Sequence, residues 1–173
     1  MSSLLASRGK QRLNKVSILV VDDDKPIANL IKNVLVNLGF GTVFVSHDAN
    51  EGLRIFERNN IDLIITDWEM EPMNGLDLTR KVRLLDSMKR FTPIIMLTGH
   101  GEKQEIETAR DCGITEYLIK PFTAKTLCSR ITTVVEAPRS FIVSKVYKGP
   151  SRRRRSLSSP ETGERRKRQP TPK

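Results

Sequence analysis

The chain has 173 residues, and its 30 Lys and Arg outnumber its 20 Asp and Glu to give a net charge of +10. No uncharged apolar run approaches the roughly 18 to 20 residues that cross a bilayer, so the sequence predicts no transmembrane segment. The first 15 residues carry four bases and no apolar region of the kind that a secretory signal requires, which predicts a cytoplasmic protein.

The charges divide the chain into three parts. Residues 1–15 contain four bases and no acids, residues 16–137 contain 14 bases and 18 acids, and residues 138–173 contain 12 bases and two acids. We therefore predict a basic N-terminal extension over residues 1–15, a folded domain over residues 16–137, and a basic, largely disordered C-terminal tail over residues 138–173.

Strand-like and helix-like segments alternate through the central part. Short runs rich in β-branched residues predict buried strands over residues 16–21, 42–46, 62–66, 94–98 and 116–119. Apolar residues at spacings of three and four predict helices over residues 27–38, 49–58, 76–85, 103–111 and 123–136. Repeated βα units of this length require right-handed crossovers, so the sequence predicts an α/β fold with a parallel sheet and helices on both faces.

The two cysteines predict no metal site and no disulfide framework. Cys112 and Cys128 are not part of a CxxC motif, and no His lies near either of them in sequence. We predict that both are buried thiols.

Polar side chains follow the predicted strands at their carboxyl ends. Asp22 and Asp23 follow the first strand, Asp67 follows the third, Thr98 ends the fourth, and Lys120 follows the fifth. Crowded carboxylates repel each other unless a cation lies among them, and hard oxygen ligands suit Mg²⁺. Two acids that hold a metal, a third acid that can act as nucleophile, a hydroxyl and an ammonium can together bind a phosphoryl group and form an acyl phosphate.

The order and spacing of these residues resemble a known family. The chain is similar over residues 16–137 to the receiver domain of bacterial two-component response regulators, of the single-domain chemotaxis type. The resemblance is carried by Val20-Val21-Asp22-Asp23, by Asp67 forty-four residues after Asp23, and by Thr98, Tyr117 and Lys120-Pro121-Phe122. It implies a flavodoxin-like, doubly wound, five-stranded parallel sheet with five helices.

The resemblance also implies a role for each site residue. Asp67 would be the phosphoacceptor, Asp22 and Asp23 would bind Mg²⁺ together with it, and Glu69 would give the metal its backbone carbonyl. Phosphorylation would then pull the surrounding groups inward.

Three further residues would respond to the phosphoryl group. Thr98 would be the switch hydroxyl, Lys120 would form a salt bridge with the phosphoryl group, and Tyr117 would be an aromatic rotamer switch. The donor would be a sensor histidine kinase or a phosphotransfer protein, and an output protein would read residues 102–136. Beyond its own phosphorylation and dephosphorylation the chain would not be an enzyme, and it would be a monomer or a phosphorylation-dependent dimer.

The sequence departs from the family in two loops. Met70-Glu71-Pro72-Met73-Asn74-Gly75 stands where the family usually has Met-Pro-x-Met-Asp-Gly, and Gly99 stands where Ala is usual. By the resemblance, Glu69 and His100 flank the path of attacking water, so we expect both to influence the lifetime of the phosphoryl group.

Simpler roles compete with these assignments. Asp24 is better explained as the cap of the first helix than as a ligand. His47 and His100 have no His or Cys partner at ligand spacing, which argues against a metal role for either.

Two other functions remain open on the sequence. A phosphohydrolase of similar topology would also use an aspartyl nucleophile, although Glu69 is better placed as a carbonyl donor than as a general acid. Alternatively, the domain would regulate an adaptor whose Arg-rich tail binds nucleic acid, an anionic membrane or an acidic protein surface. The tail has no helix-turn-helix pattern and no interleaved aromatic residues, which argues against sequence-specific DNA recognition. The apolar residues between 138 and 147 could dock on the body or on a second subunit.

Overall fold

The computed structural model describes residues 13–99, 101–137, 139–144 and 147–151. Its strands are β1 (Ile18–Val21), β2 (Val43–Ser46), β3 (Leu63–Asp67), β4 (Ile94–Thr98), β5 (Glu116–Ile119), β6 (Phe141–Val143) and β7 (Lys148–Pro150). Its α-helices are α1 (Lys25–Asn37), α2 (Ala49–Arg58), α3 (Gly75–Leu84), α4 (Lys103–Cys112) and α5 (Ala124–Glu136), and Met88–Phe91 form a 3₁₀ helix. The predictions for residues before Leu13, for His100 and for the tail after Ser151 concern residues outside the described ranges.

Five strands form one parallel sheet in the order β2-β1-β3-β4-β5. This confirms the predicted doubly wound α/β fold. The predicted boundaries differ from the observed ones by no more than two residues. Helix α1, for example, begins at Lys25 because Asp24 caps it by accepting a hydrogen bond from the Ile27 amide at 3.1 Å, as predicted.

The core has two layers because side chains alternate along each strand. Leu19 and Val21 of β1 face a layer that includes residues of α2, α3 and α4, whereas Ile18 and Val20 face a layer that includes residues of α1 and α5. Strands β1, β3 and β4 are buried along their whole length. This burial on both faces explains why their sequences are continuous apolar runs rather than alternating ones.

A short hairpin follows the fifth helix and docks on the body. Strands β6 and β7 pair in antiparallel fashion, and β7 contacts both α3 and α4. The ring of Phe141 packs edge-on against Phe91 with centroids 4.7 Å apart, and the hydroxyl of Tyr147 donates to the Arg110 carbonyl at 3.4 Å. Residues 139–144 and 147–151 of the predicted tail therefore contact the body.

The predicted burial of the cysteines is wrong. Cys112 at the end of α4 and Cys128 in α5 are free thiols that are only partly buried. Each belongs to a helix that covers the sheet, and its position on the helix leaves the residue only partly covered. Across the described part of the chain, no helix combines the length and the hydrophobicity that a membrane crossing requires.

Candidate functional site

Three carboxylates meet where β1 and β3 end. Asp22 follows β1 and is completely buried, Asp23 is exposed, and Asp67 is the last residue of β3 with only 7% of its surface exposed. One carboxylate oxygen from each lies within 4.8 Å of the others. The strands converge in this way because β1 and β3 are hydrogen-bonded neighbours in a parallel sheet.

Lys120 completes the cleft from the end of β5. Its Nζ lies 3.0 Å from Oδ1 of Asp67 and 3.4 Å from Oδ2 of Asp22. The backbone amide of Lys120 donates to the Thr98 carbonyl at 2.7 Å, which fixes the end of β5 against the end of β4. The ammonium therefore bridges two carboxylates that come from separate strands.

Backbone amides orient the two buried carboxylates. The Asp24 amide donates to Oδ1 of Asp22 at 3.0 Å, and the Trp68 amide donates to Oδ1 of Asp67 at 2.9 Å. Lys120 contacts the same oxygen of Asp67. Oδ1 of Asp67 is thus held between a backbone amide and an ammonium.

Burial and charge shift the pKa of three groups in the cleft, Asp22, Asp67 and Lys120. Burial raises the pKa of Asp22 and of Asp67, and the neighbouring Lys120 opposes both shifts without cancelling them. Burial also disfavours the charged form of Lys120, but the hydrogen bond to Asp67 and the two carboxylate charges outweigh it and raise the pKa of Lys120. Three acids against one ammonium leave the cleft with excess negative charge.

The donor set fits a divalent cation. All three groups offer carboxylate oxygens, which are the hard ligands that Mg²⁺ prefers, and they are close enough to share one ion. Asp23 and Glu69 also line an open cavity of about 350 Å³ at this edge, beside Trp68 and Asn74. Solvated ions can therefore reach the carboxylates from this side.

The loop after β3 depends on a close backbone approach. A Cβ atom on Gly75 would lie only 2.0 Å from the backbone oxygen of Asp67, so no other residue fits there without moving Asp67. Asn74, which replaces the family's usual Asp, caps α3 by accepting a hydrogen bond from the Asp77 amide at 2.9 Å. The departure in sequence therefore preserves the helix start.

The structure also places the two predicted switch residues. Thr98 ends β4 and is 3% exposed, next to the Asp67 strand. Tyr117 lies in β5, is half-buried, and packs against the core layer that includes α4. Tyr117 lines a second cavity, of about 410 Å³, which is also lined by Arg139 from the segment after α5.

Two buried charged groups were not predicted. Arg83 in α3 is 3% exposed, and it donates from Nε to the Gly113 carbonyl at 2.9 Å and from Nη1 to the carbonyls of Arg90 and Thr92 at 2.7 and 2.8 Å. Burial lowers its pKa to about 10. The sequence did carry a signal, because Arg83 lies four residues after the buried Thr79 on the apolar face of the helix.

The second unpredicted group is Glu116 at the start of β5. It is buried between Nη1 of Arg130 at 3.3 Å and Nη2 of Arg139 at 2.5 Å. Arg139 comes from the segment after α5, so this cluster ties that segment to the edge strand. No local pattern marks such a contact, because its partners are 14 and 23 residues away from Glu116.

Comparisons with known proteins agree with the geometry. Residues 18–132 match the response regulator receiver domain. The chain is 34% identical over 125 residues to the chemotaxis protein CheY-3 of Vibrio cholerae, covering 72% of this chain and 95% of that protein. It is 41% identical over 124 residues to the chemotaxis protein CheY1 of Helicobacter pylori, covering 69% of this chain and 97% of that protein.

Solved structures show the same fold. The chemotaxis protein CheY4 of Vibrio cholerae aligns with a TM-score of 0.65 at 31% identity, covering 69% of this chain and 98% of that one. The receiver domain of a sensor histidine kinase from Pseudomonas aeruginosa, which holds a magnesium ion in its active-site cleft, aligns with a TM-score of 0.64 at 28% identity, covering 70% of this chain and 98% of that one. The fold, the cleft and these matches lead to one conclusion: the chain belongs to the response regulator receiver domain family, in its single-domain chemotaxis type.

Proposed function

We propose that the chain is a phosphorylation-dependent response regulator whose Asp67 accepts a phosphoryl group from a sensor histidine kinase or a phosphotransfer protein. The observation that carries the proposal is the position of Asp67, buried at a strand end with Lys120 Nζ at 3.0 Å and two further carboxylates within 4.8 Å. If Lys120 and Asp67 formed only a structural ion pair, the pair would not need the carboxylates of Asp22 and Asp23 beside it.

The residues divide the chemistry among them. A carboxylate oxygen of Asp67 attacks the phosphorus of a phosphohistidine, the P–N bond breaks, and the released imidazole takes a proton. Lys120 neutralises part of the charge on the transferring oxygens, so positioning and electrostatics supply most of the catalysis. Asp22, Asp23, Asp67 and the Glu69 carbonyl would hold Mg²⁺, which supplies charge neutralisation of the phosphoryl oxygens when bound.

The response to phosphorylation would begin at Thr98. Its hydroxyl would bond a phosphoryl oxygen, the ammonium of Lys120 would pair with the same group, and Tyr117 would change rotamer as β4 and β5 adjust. Residues 102–136, which include α4, β5 and α5, would then present a changed surface to an output protein. Glu69, which lines the cavity beside Asp23, would influence how fast water removes the phosphoryl group.

The phosphohydrolase and adaptor alternatives gain no support. The relatives that match are signalling proteins by name, and the Arg-rich residues after Ser151 lie outside the part of the chain that the structure describes.

The decisive test is labelling of the full chain by acetyl phosphate with Mg²⁺. Wild type should form one acid-stable, base-labile acyl phosphate, and Asp67→Asn should form none. Asp86→Asn is the matched control, because the Asp86 side chain is fully exposed, and it should be labelled normally. Chelation of Mg²⁺ should abolish labelling, and Asp23→Asn should raise the Mg²⁺ concentration that labelling needs. Persistent label on Asp67→Asn would overturn the proposal.

A further inference from the structure

A third cavity lies where α3, α4 and β7 meet. It has a volume of about 560 Å³, within the range of small-molecule sites, and shares no lining residue with the acidic cleft. Arg80 and Arg83 line it from α3, and Tyr147 and Lys148 line it from the hairpin. Two of its eight lining residues, Tyr147 and Lys148, therefore lie beyond the matched receiver region.

Arg83 is the unusual member of this wall. It is nearly completely buried, yet the described part of the chain gives its guanidinium no carboxylate partner. Its Nε and Nη1 donate to backbone carbonyls, whereas Nη2 is buried with no hydrogen-bond acceptor in the described residues. The ring of Phe141, 5.3 Å from the guanidinium carbon, compensates the charge only partly.

Buried cations are normally paired with an anion, because an unpaired charge and an unsatisfied donor both cost free energy. Burial lowers the pKa of Arg83 to about 10, which still leaves it charged at neutral pH. The side chain therefore carries a positive charge beside a cavity large enough for a ligand.

The other charged groups around the cavity leave an excess of positive charge. Arg80 pairs with Asp77 at 2.7 Å on the exposed side of α3, and Lys148 adds a further ammonium. Asp111 is the acid among the lining residues, and burial raises the pKa of the Cys112 thiol so that it stays neutral. Counting the Asp77 that pairs with Arg80, three cations stand against two acids, so the charge around the cavity is slightly positive.

We propose that this cavity binds a small phosphorylated molecule, with its phosphate group against Arg80, Arg83 and Lys148. A guanidinium matches the oxygen spacing of a phosphate and can donate to two oxygens at once; Nη2 of Arg83 is closed off from solvent in this structure, so it reaches the phosphate only after a small shift of the cavity wall. The apolar part of the ligand packs against the ring of Tyr147 and the side chain of Leu84, which is 70% exposed at the rim. This site does not depend on phosphorylation of Asp67.

The test is a titration of the full chain with adenosine monophosphate, without Mg²⁺, followed by amide NMR shifts and by Tm. Inorganic phosphate and uncharged adenosine are parallel probes. We expect a saturable rise in Tm with adenosine monophosphate, a weaker one with phosphate and none with adenosine. The amides of Gly113 and Lys148 should shift, because the Gly113 carbonyl binds Arg83 and Lys148 lines the cavity. Absence of a saturable effect with both phosphate-bearing probes would overturn the proposal.

Variants can distinguish specific binding in this cavity from nonspecific electrostatic binding to the basic residues of the chain. Arg80→Ala and Lys148→Ala should each weaken binding about tenfold, the loss of one charge-assisted hydrogen bond. Replacing Arg152, Arg153, Arg154 and Arg155 by Ala should leave binding unchanged, and so should Asp67→Asn. Arg83→Lys keeps the charge but loses the guanidinium geometry; it should weaken binding and also lower Tm, because one ammonium cannot replace all three hydrogen bonds to backbone carbonyls. Binding that survives both single Ala variants but disappears with the four Arg would show attraction to the basic segment and would contradict the site.

Discussion

The two ends of the parallel sheet handle buried charge in opposite ways. At the carboxyl end, Asp22, Asp23 and Asp67 share a single ammonium, so the cleft keeps excess negative charge and opens to solvent. At the amino end of β5, Glu116 is enclosed by two guanidinium groups and its charge is more than balanced. An unbalanced cluster beside a cavity is suited to a ligand, whereas a balanced one holds elements together.

The largest loss of stability should come from Arg83→Met, a change close to the amino end of β5. This change removes three hydrogen bonds to backbone carbonyls that join α3 to the segments before β4 and β5. We expect the free energy of unfolding to fall by about 3 kcal/mol, since three buried acceptors lose their donor. Urea unfolding measures this, and Arg80→Met on the exposed side of the same helix should change it by less than about 0.5 kcal/mol. If Arg83→Met and Arg80→Met lowered the free energy of unfolding equally, the buried hydrogen bonds of Arg83 would not be what stabilises the fold.

At the cleft, Lys120→Met should remove the only ammonium that the described residues place between Asp22 and Asp67. We expect the free energy of unfolding to fall by about 2 kcal/mol at neutral pH, because two buried carboxylates then repel each other without an ammonium between them. The loss of stability should shrink as the pH falls. Both acids have a raised pKa in the folded state, so they are protonated at a higher pH than ordinary carboxyl groups and no longer repel each other. Added Mg²⁺ should also restore stability.

The matched control for this variant is Lys125→Met, which changes an exposed lysine of α5. Its stability should follow that of wild type at every pH. If Lys120→Met were equally destabilised at all pH values, the carboxylates would not be the cause.

Asp67→Asn should act in the opposite direction and stabilise the fold. Burial raises the pKa of Asp67, so its ionised form is disfavoured in the folded state and stability falls as the pH rises above the ordinary carboxyl pKa. Removing the charge should raise the free energy of unfolding by about 1 kcal/mol at neutral pH. This gain should vanish in acid, where Asp67 is protonated in both the folded and the unfolded state. Thermal unfolding of Asp67→Asn and Asp86→Asn across pH measures this; destabilisation of Asp67→Asn at neutral pH would contradict the charge imbalance.

The smallest effect should come from the balanced cluster. Arg139→Ala leaves Glu116 with Arg130 as a partner, so we expect the free energy of unfolding to fall by about 1 kcal/mol. Arg130 is more exposed than Arg139, so Arg130→Ala should lower it by less. Hydrogen exchange should show that Arg139→Ala loosens β6 and β7 first. A loss as large as that of Arg83→Met would mean that Glu116 has no effective second partner.

The sequence predicted the sheet well because its strands are buried on both faces. Ile18–Val21, Leu63–Asp67 and Ile94–Thr98 have no exposed positions, so their apolar runs signal strands without help from the rest of the fold. The cleft residues were found by their place after those strands, and the geometry now shows that Asp22, Asp23, Asp67 and Lys120 lie together.

The hairpin could not be predicted in the same way. Phe141–Val143 is a three-residue strand in which Phe141 packs against earlier residues, Phe91 and Arg83, whereas Ile142 and Val143 are exposed. Short strands of this kind form through packing with distant residues rather than through local propensity. The same is true of the partly buried cysteines, whose exposure is set by neighbouring helices.

The claim that Asp67 carries the phosphoryl group can be tested most directly by reductive trapping. Borohydride converts an aspartyl phosphate to homoserine, which peptide mass spectrometry locates on the chain. After incubation of the full chain with acetyl phosphate and Mg²⁺, we predict homoserine at position 67 and nowhere else. Homoserine at position 22 or 23, or unmodified Asp67 in a labelled chain, would contradict the account.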